Sequence, residues 1–229
     1  MIKLETIEIS GFKTGLFGMR NPWDSHENAD TVFDSEYESG IIMGGNDYKL
    51  ARKLSSNGPI HGKYRRNINV GVNIIAPLYW WKEFDTYKIG TNSDSSSTMH
   101  TIHKKEFTLD MFSTEHIISH SWSEADNFNG TVPMDIMQSI INMLNECRMN
   151  YLFAKENKDQ MRMKMFWWQM IQLLPSSYNQ FRTIQLNYEV LANIYKNRRN
   201  HRLDEWNDFI KWSLKLPYPE LFTADAEKE

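Results

Sequence analysis

The chain of 229 residues has a single cysteine, Cys147, set among Ile140, Ile141, Met143 and Leu144. With no second thiol there can be no internal disulfide, and the residue reads as a small buried hydrophobe in a reducing compartment, not as a nucleophile. Long apolar runs are also missing. The opening MIKLETIEIS lacks an apolar stretch of signal-peptide length, and no later run is long enough to span a bilayer, so a cytoplasmic location without a membrane partner is expected. Charge of one sign is scarce: the net charge is -3 and the pI about 6.2. That balance supplies no overall basic field for a nucleic-acid backbone and makes small molecules or proteins the expected partners.

Several chemical signatures are absent as well. His100 and His103, or His116 and His120 beside Glu115, have ligand-like spacing, but no cysteine lies near and the HExxH order is missing, so no metal is expected. Gly44-Gly45 lacks the frame of a phosphate-binding loop. Asn129-Gly130-Thr131 matches a glycosylation acceptor, which has no use in a cytoplasmic protein.

What is present is core material: 41% hydrophobic and 13% aromatic residues, enough for one large domain. IKLETIEIS alternates as a strand does, and residues 18–46, rich in turn signals such as RNPWDS and MGGN, read as loop. Asn46 or Asp47 is expected to cap a short helix ended by SSNGP. Residues 67–75, NINVGVNII, form a strand, after which Pro77 suits the first turn of a helix carrying LYWWKEFDTYK. Residues 101–130 read as irregular. Pro133 opens a helix with Ile136, Ile140, Ile141, Leu144, Met149 and Leu152 at helical spacing. MRMKMFWWQMIQLL, LNYEVLANIYKNRR and LDEWNDFIKWSLKL give three more, and residues 223–229 are expected to be a frayed acidic tail. The fold class is α+β, a single domain over residues 1–229 with a helix-rich C-terminal half.

Two segments are more polar than packing requires. WWKEFDTYKIGTNSDSSSTMH, from Trp80 to His100, ends in a run of hydroxyls, and LLPSSYNQFRTIQLNYEVL precedes the basic cluster NRRNHR. Buried polar groups without partners cost free energy, so such density implies solvent or a ligand. Of the pairs Trp80-Trp81 and Trp167-Trp168, core packing is the ordinary role, and one member of each is a candidate to face a planar ligand.

Together these segments resemble the flavin-dependent thymidylate synthases, whose signature RHRxxSxNExSxR follows a proline-led helix. Thr86-Tyr87-Lys88 fall on RHR, Thr91 on the first Ser, Ser93 on Asn, Asp94 on Glu, Ser96 on the second Ser and Thr98 on the last Arg. Downstream, Leu174-Pro175 lead to NYEVLANIYKNRR, which resembles NxRxLxNFLxLR at Asn187, Leu191, Asn193 and Arg198, with Glu189 in place of an arginine. His61, in NGPIHGKYRRN, echoes a GHxSPxEH-like segment. The resemblance implies a thymidylate-synthase-complementing-protein-like fold and a homotetramer with FAD at subunit interfaces. It also implies dUMP as the nucleotide substrate, with methylene-tetrahydrofolate and NADPH as carbon and electron donors. His61, Tyr87, Lys88, Asn187 and Asn193 would then meet the cofactor, and Thr91, Asp94, Ser96 and Arg182 the substrate. Arg198 would be catalytic, stabilising charge developing on the pyrimidine.

Three family arginines are replaced, by Thr98, Ile171 and Glu189. Guanidinium is the usual partner of a phosphate dianion, and a glutamate about 5 Å from phosphate adds roughly 3 kcal/mol of repulsion per unit charge at an effective dielectric near 20. Either Lys88, Arg182, Arg199 or His100 has taken over, or the ligand is not dUMP. The alternative is a non-catalytic binding or interaction protein that kept the fold; nucleic-acid binding through KYRRN and KNRRNHR is disfavoured by the acidic balance.

Overall fold

A computed structural model describes residues 2–34, 40–120 and 130–226. In chain order the elements are β1 (Lys3–Ser10), α1 (Phe12–Arg20), β2 (Val32–Phe33), β3 (Ile41–Ile42), α2 (Gly45–Ser55), β4 (Asn69–Pro77), α3 (Leu78–Phe84), β5 (Asn92–Ser95), α4 (Thr98–Thr101), α5 (Pro133–Glu156), α6 (Gln160–Leu173), β6 (Asn179–Asn187), α7 (Tyr188–Arg198), α8 (Asp204–Ser213) and α9 (Glu220–Thr223). A 3₁₀ helix covers Gly62–Asn67. The main sheet has strand order β1-β4-β6-β5, and β2 pairs with β3 separately. The fold is α+β, as expected from the sequence. Chain contacts group it into two compact units: Ala76–Lys82 with Ser95–Phe181, and Ile2–Ile75 with Glu83–Asp94 and Arg182–Glu229.

In the first unit, α5 and α6 pack on one another over a core of Ile102, Phe107, Phe112, Met137, Ile141, Leu144, Cys147 and Met170. Of the expected apolar stripe of α5, Ile141 and Leu144 are buried, whereas Ile136 and Met149 are exposed. Asn145 on α5 clamps the irregular chain at Phe107, whose N-H it accepts at 2.8 Å and whose carbonyl it donates to at 2.9 Å. Trp80 and Trp81 are both buried, and the Trp81 indole donates to the Gln180 carbonyl. Neither faces an open ligand space.

The second unit is built on β4. Val70, Val72 and Ile74 are fully buried while the residues between them are half-buried, the period-2 pattern of a strand with one face in the core. β1 pairs with it antiparallel from Lys3 opposite Ile75 to Ser10 opposite Asn69. Helix α7 packs on α9 and on the 3₁₀ helix, with Tyr188 edge-on to Phe12 and Phe222.

Several sequence expectations are corrected. Helix α1 was not anticipated. The cap of α2 is Gly44, not Asn46 or Asp47; Asp47 lies inside the first turn, buried, and binds Arg20 Nε at 2.7 Å while its other oxygen accepts from Thr31 N and Oγ1. That buried pair ties down the loop after α1, Arg20 also donating to the carbonyls of Ser25 and Asn28. Helix α3 stops at Phe84, so Tyr87 and Lys88 lie beyond it. The hydroxyl run contains a strand, β5, and the polar stretch before α7 is another, β6. Residues 223–226 do not fray: Thr223, Ala224 and Ala226 are buried and Asp225 is salt-bridged. Residues 227–229 and Asn129 lie outside the described residues.

Candidate functional site

Within the second unit, a cleft of about 730 Å³ is lined by Ser56, Gly58 and Pro59 after α2, by Thr86–Ile89 after α3, by Glu189, Val190, Ala192, Asn193, Lys196 and Asn197 of α7, and by Asp225. Three of the residues expected to meet a cofactor, Tyr87, Lys88 and Asn193, therefore share one wall system although about a hundred residues separate them in sequence. What joins the two segments is a close approach at Gly90. Its φ is +80°, a left-handed conformation natural to glycine, and a Cβ there would lie 2.9 Å from Asn187 Nδ2 and 3.2 Å from Val190 Cγ2.

Asn187 caps α7. Its Oδ1 accepts from Glu189 N at 3.1 Å and Val190 N at 3.0 Å, satisfying two amides at the helix start. Cap formation thus engages Oδ1 within the fold itself. Asn193 lies six residues further on, within α7, where it accepts from Asn197 Nδ2 at 2.7 Å.

Arg198, at the last turn of α7, is held by the segment around Tyr87. Its Nε donates to Tyr87 Oη at 2.9 Å and its Nη1 to Glu83 Oε2 at 2.8 Å, and the guanidinium lies 4.9 Å from the Trp206 ring centroid. Trp206 Nε1 donates to the same Glu83 oxygen at 2.8 Å, and His201 Nε2 lies 3.4 Å from it. Glu83 and Trp206 were not singled out from sequence; their role is visible only once α3 and α8 are placed together. Among the described residues Arg198 Nη2 makes no hydrogen bond, unlike Nε and Nη1.

Glu189 is the residue whose charge argued against a phosphate. Its carboxylate accepts from the Nε of Arg65 at 2.9 Å, and the Arg65 Nη2 reaches both Glu189 and Asp225, at 2.8 and 3.0 Å. Arg65 is wholly buried. The repulsion expected from sequence is accordingly offset by a neighbouring guanidinium.

The other expected residues are placed as follows. Thr91 follows the cleft segment, with a buried Oγ1 that has no hydrogen-bond partner among the described residues. Asp94 is exposed on β5, near Asn92 Nδ2. Arg182 on β6 donates to Asp85 at 2.7 Å. Ser96 belongs to the other unit, where its N-H donates to the Phe181 carbonyl and its carbonyl accepts from Gln180. None of these four lines the cleft. His61 does not line it either; it borders a separate cleft near α1. Of the arginine replacements, Thr98 starts α4 and Ile171 packs on the first unit's core.

Two groups fit a flavin nucleotide. Lys88 and Lys196 offer cations to phosphate, with Tyr87, Asn193 and Asn197 as neutral polar neighbours. Asp225 Oδ1, buried without a partner among the described residues at the cleft wall, is an acceptor suited to a ligand N-H or hydroxyl.

No family model matches the sequence, and no curated protein matches it. Solved structures do. Thymidylate synthase X from Helicobacter pylori, with FAD and dUMP, aligns at a TM-score of 0.64 and 15% identity over 99% of this chain and 100% of that one. The UMP/dUMP methylase PolB from Streptomyces cacaoi, bound with 5-bromo-UMP, aligns at 0.57 and 14% over 99% and 95%. Over nearly its whole length this chain has the fold of the flavin-dependent thymidylate synthases.

Proposed function

We propose that the protein is a divergent flavin-dependent thymidylate-synthase-like enzyme that acts on a pyrimidine nucleotide such as dUMP, by reductive methylation or a related base modification. The observation that carries the reading is the meeting of Tyr87 and Lys88 with Asn193 at one cleft, with Arg198 fastened to Tyr87 beside it, in a fold whose solved examples hold FAD and dUMP or UMP analogues. Bound FAD would supply the redox chemistry. Lys88 and Lys196 would bind its phosphates or the nucleotide's, and Asn193 would orient the ring system. Arg198, kept in place by Glu83 and Tyr87, would present Nη2 to a carbonyl oxygen of the pyrimidine. A cytoplasmic homotetramer, with methylene-tetrahydrofolate and NADPH as co-substrates, completes the proposal.

The test begins with colour. Freshly purified protein, or protein titrated with FAD, should show flavin absorbance and saturable binding heat. Arg198→Ala should abolish nucleotide turnover while the circular dichroism spectrum and FAD binding persist. A colourless protein that gives no heat with FAD would overturn the reading. It would favour instead a non-catalytic binding protein, which the replacement of three arginines by Thr98, Ile171 and Glu189 also suits.

A further inference from the structure

One face of α5 gathers cations that no described carboxylate neutralises. Arg148, Tyr151 and Lys155 recur at helical spacing and fall within about 60° of one another around the helix. Against them lies His103-Lys104, in the chain that follows α4. The His103 ring packs on Tyr151 with centroids 4.7 Å apart, and Arg148 Nε donates to the His103 carbonyl at 3.0 Å. That bond uses one edge of the guanidinium only. Among the described residues Arg148 Nη1 and Nη2 make no hydrogen bond, and the side chains of Lys104 and Lys155 make neither hydrogen bond nor ion pair. Arg162 on α6, by contrast, meets Asp159 at 3.5 Å.

His103 registers the imbalance. Its Nδ1 is buried with no partner among the described residues. Burial, then Lys155, Lys104 and Arg148, hold the imidazole pKa below the usual 6.5, and no carboxylate is among the charges that bear on it. The acids of this stretch of α5 lie on other faces: Glu146 about 160° round the helix from Arg148, and Glu156 about 100° from Lys155.

Cations held together without counter-ions attract an anion, and their spacing selects its shape. Arg148 and Lys155 are two turns apart, about 10 Å along the helix axis. A run of linked phosphates, charged at every link, fits that length better than a compact anion does. Tyr151 lies between His103 and the core of this unit, so it offers no ring for a base to stack on. Recognition then rests on the phosphates alone.

We propose that this face of α5, together with His103-Lys104, is a polyphosphate site, in which Arg148 and Lys155 hold the ends of a phosphate chain and Lys104 its flank. It lies within the first unit and shares no residue with the cleft proposed for the flavin nucleotide.

The experiment uses the full chain and inorganic tripolyphosphate in metal-free buffer of fixed ionic strength, with orthophosphate, ATP and a single-stranded oligonucleotide as comparisons. Calorimetry reads affinity, and the imidazole NMR signal of His103, assigned through His103→Gln, reads location. Tripolyphosphate should bind saturably and at least tenfold more tightly than orthophosphate, and ATP no more tightly than tripolyphosphate. Lys104→Gln/Lys155→Gln, both at exposed positions, should weaken it about tenfold, given up to about fivefold per exposed charge, with circular dichroism unaltered. Lys88→Gln/Lys196→Gln, at the flavin cleft, should leave the affinity unchanged. A bound anion favours the charged imidazole, so the His103 pKa should rise by about one unit on binding. No saturable binding, equal affinity for orthophosphate, or tighter binding of ATP or the oligonucleotide would overturn the proposal. So would an unchanged affinity in Lys104→Gln/Lys155→Gln, a loss in Lys88→Gln/Lys196→Gln, or a His103 signal that does not move.

Discussion

Replacing Arg65 by methionine should be among the most damaging single changes in this chain. The guanidinium is wholly buried, and it binds the carboxylates of Glu189 and Asp225 and the carbonyl of Leu221. Methionine preserves most of the stem's volume while deleting the charge and every donor. Two adjacent carboxylates are then left without a counter-ion, one on α7 and one after α9. Removing one partner of a buried ion pair costs about 3–5 kcal/mol. The lower end applies here because the side chains of Glu189 and Asp225 keep 21% and 18% exposure through the cleft, so solvent screens part of the repulsion. At about 2–4 °C per kcal/mol for a chain of this size, the midpoint of thermal unfolding followed by tryptophan fluorescence should fall by about 6–12 °C. The mechanism makes a second demand. If uncompensated charge is the cause, Arg65→Met combined with Glu189→Gln and Asp225→Asn should recover most of the loss, since removing a whole buried ion-pair network can be near neutral. A fall of less than about 2 °C in the single variant, or a triple variant no more stable than the single, would refute the reasoning.

Asp30 accepts from the N-H groups of Asn46 and Asp47 at the start of α2, and these bonds hold its pKa below the usual carboxylate value of 3.8. Its folded pKa being depressed, the stabilisation is present above pH about 4 and is lost as pH falls below it. Urea titrations at pH 6 and pH 3 should therefore show a smaller acid loss in Asp30→Asn than in the parent, and equal losses would contradict the assignment. Gly44→Ala should destabilise the same helix start, because a Cβ would fall 2.1 Å from Asp30 Cγ and 2.3 Å from its carbonyl oxygen; an unchanged thermal midpoint would show that the loop yields freely. Gly90→Ala should cost about 1–3 kcal/mol in the same measurement, from its positive φ and its approach to Asn187. Cys147 is buried and burial raises its thiol pKa, so iodoacetamide at pH 8 should label it only in denaturant; stoichiometric labelling of native protein would be the contrary result.

Legibility in the sequence followed physical contrast. Strand β4 was readable because its β-branched residues alternate with small and polar ones, and α5, α6 and α8 because their apolar residues recur at helical spacing. Strand β5 offered no such contrast. Its four residues, NSDS, are all exposed at the end of the sheet order, so neither apolar alternation nor β-branching marks it. Strand β6 buries only its second half, at Ile184, Leu186 and Asn187, and its polar side chains find partners along the sheet, as Thr183 does with Asn73 at 2.9 Å. Helix α1 contains Gly15 and Gly18, which lower helix propensity. Gly15 is there because a Cβ would press to 3.1 Å on the Tyr64 carbonyl, a tertiary requirement that propensity cannot express. The tail was misjudged for a related reason: TADAEKE is polar in composition, yet Ala224 and Ala226 are buried and Asp225 meets a cation 160 residues away.

Of the residues named from sequence, Tyr87, Lys88 and Asn193 line the cleft, whereas His61, Thr91, Asp94, Ser96 and Arg182 do not, and its electrostatics were not legible at all. Tyr87 and Lys88 lie in the loop after α3 and Asn193 lies within α7, and the fold brings that loop and that helix to one cleft. Charge is different, since it acts through space and its compensating partner can come from anywhere in the chain. Viewed along the sequence, Glu189 in an arginine position is a cation lost and an anion gained. In three dimensions Arg65, 124 residues away, stands behind it and restores a positive charge from the other side of the carboxylate. Lys88, Lys196 and Arg65 together face Glu189 and Asp225, three cations against two anions, which leaves a net of one positive charge around the cleft. The replacement therefore does not by itself abolish an anion site. Under the proposed function the fixed guanidinium would be out of direct contact and recognition would fall to Lys88 and Lys196, point charges without the bidentate fork. A site arranged in this way would hold a phosphorylated ligand with less control over its orientation than a clamp of arginines, and on the proposed function orientation would fall to Asn193 on α7 and to Arg198, pinned by Glu83, Tyr87 and Trp206.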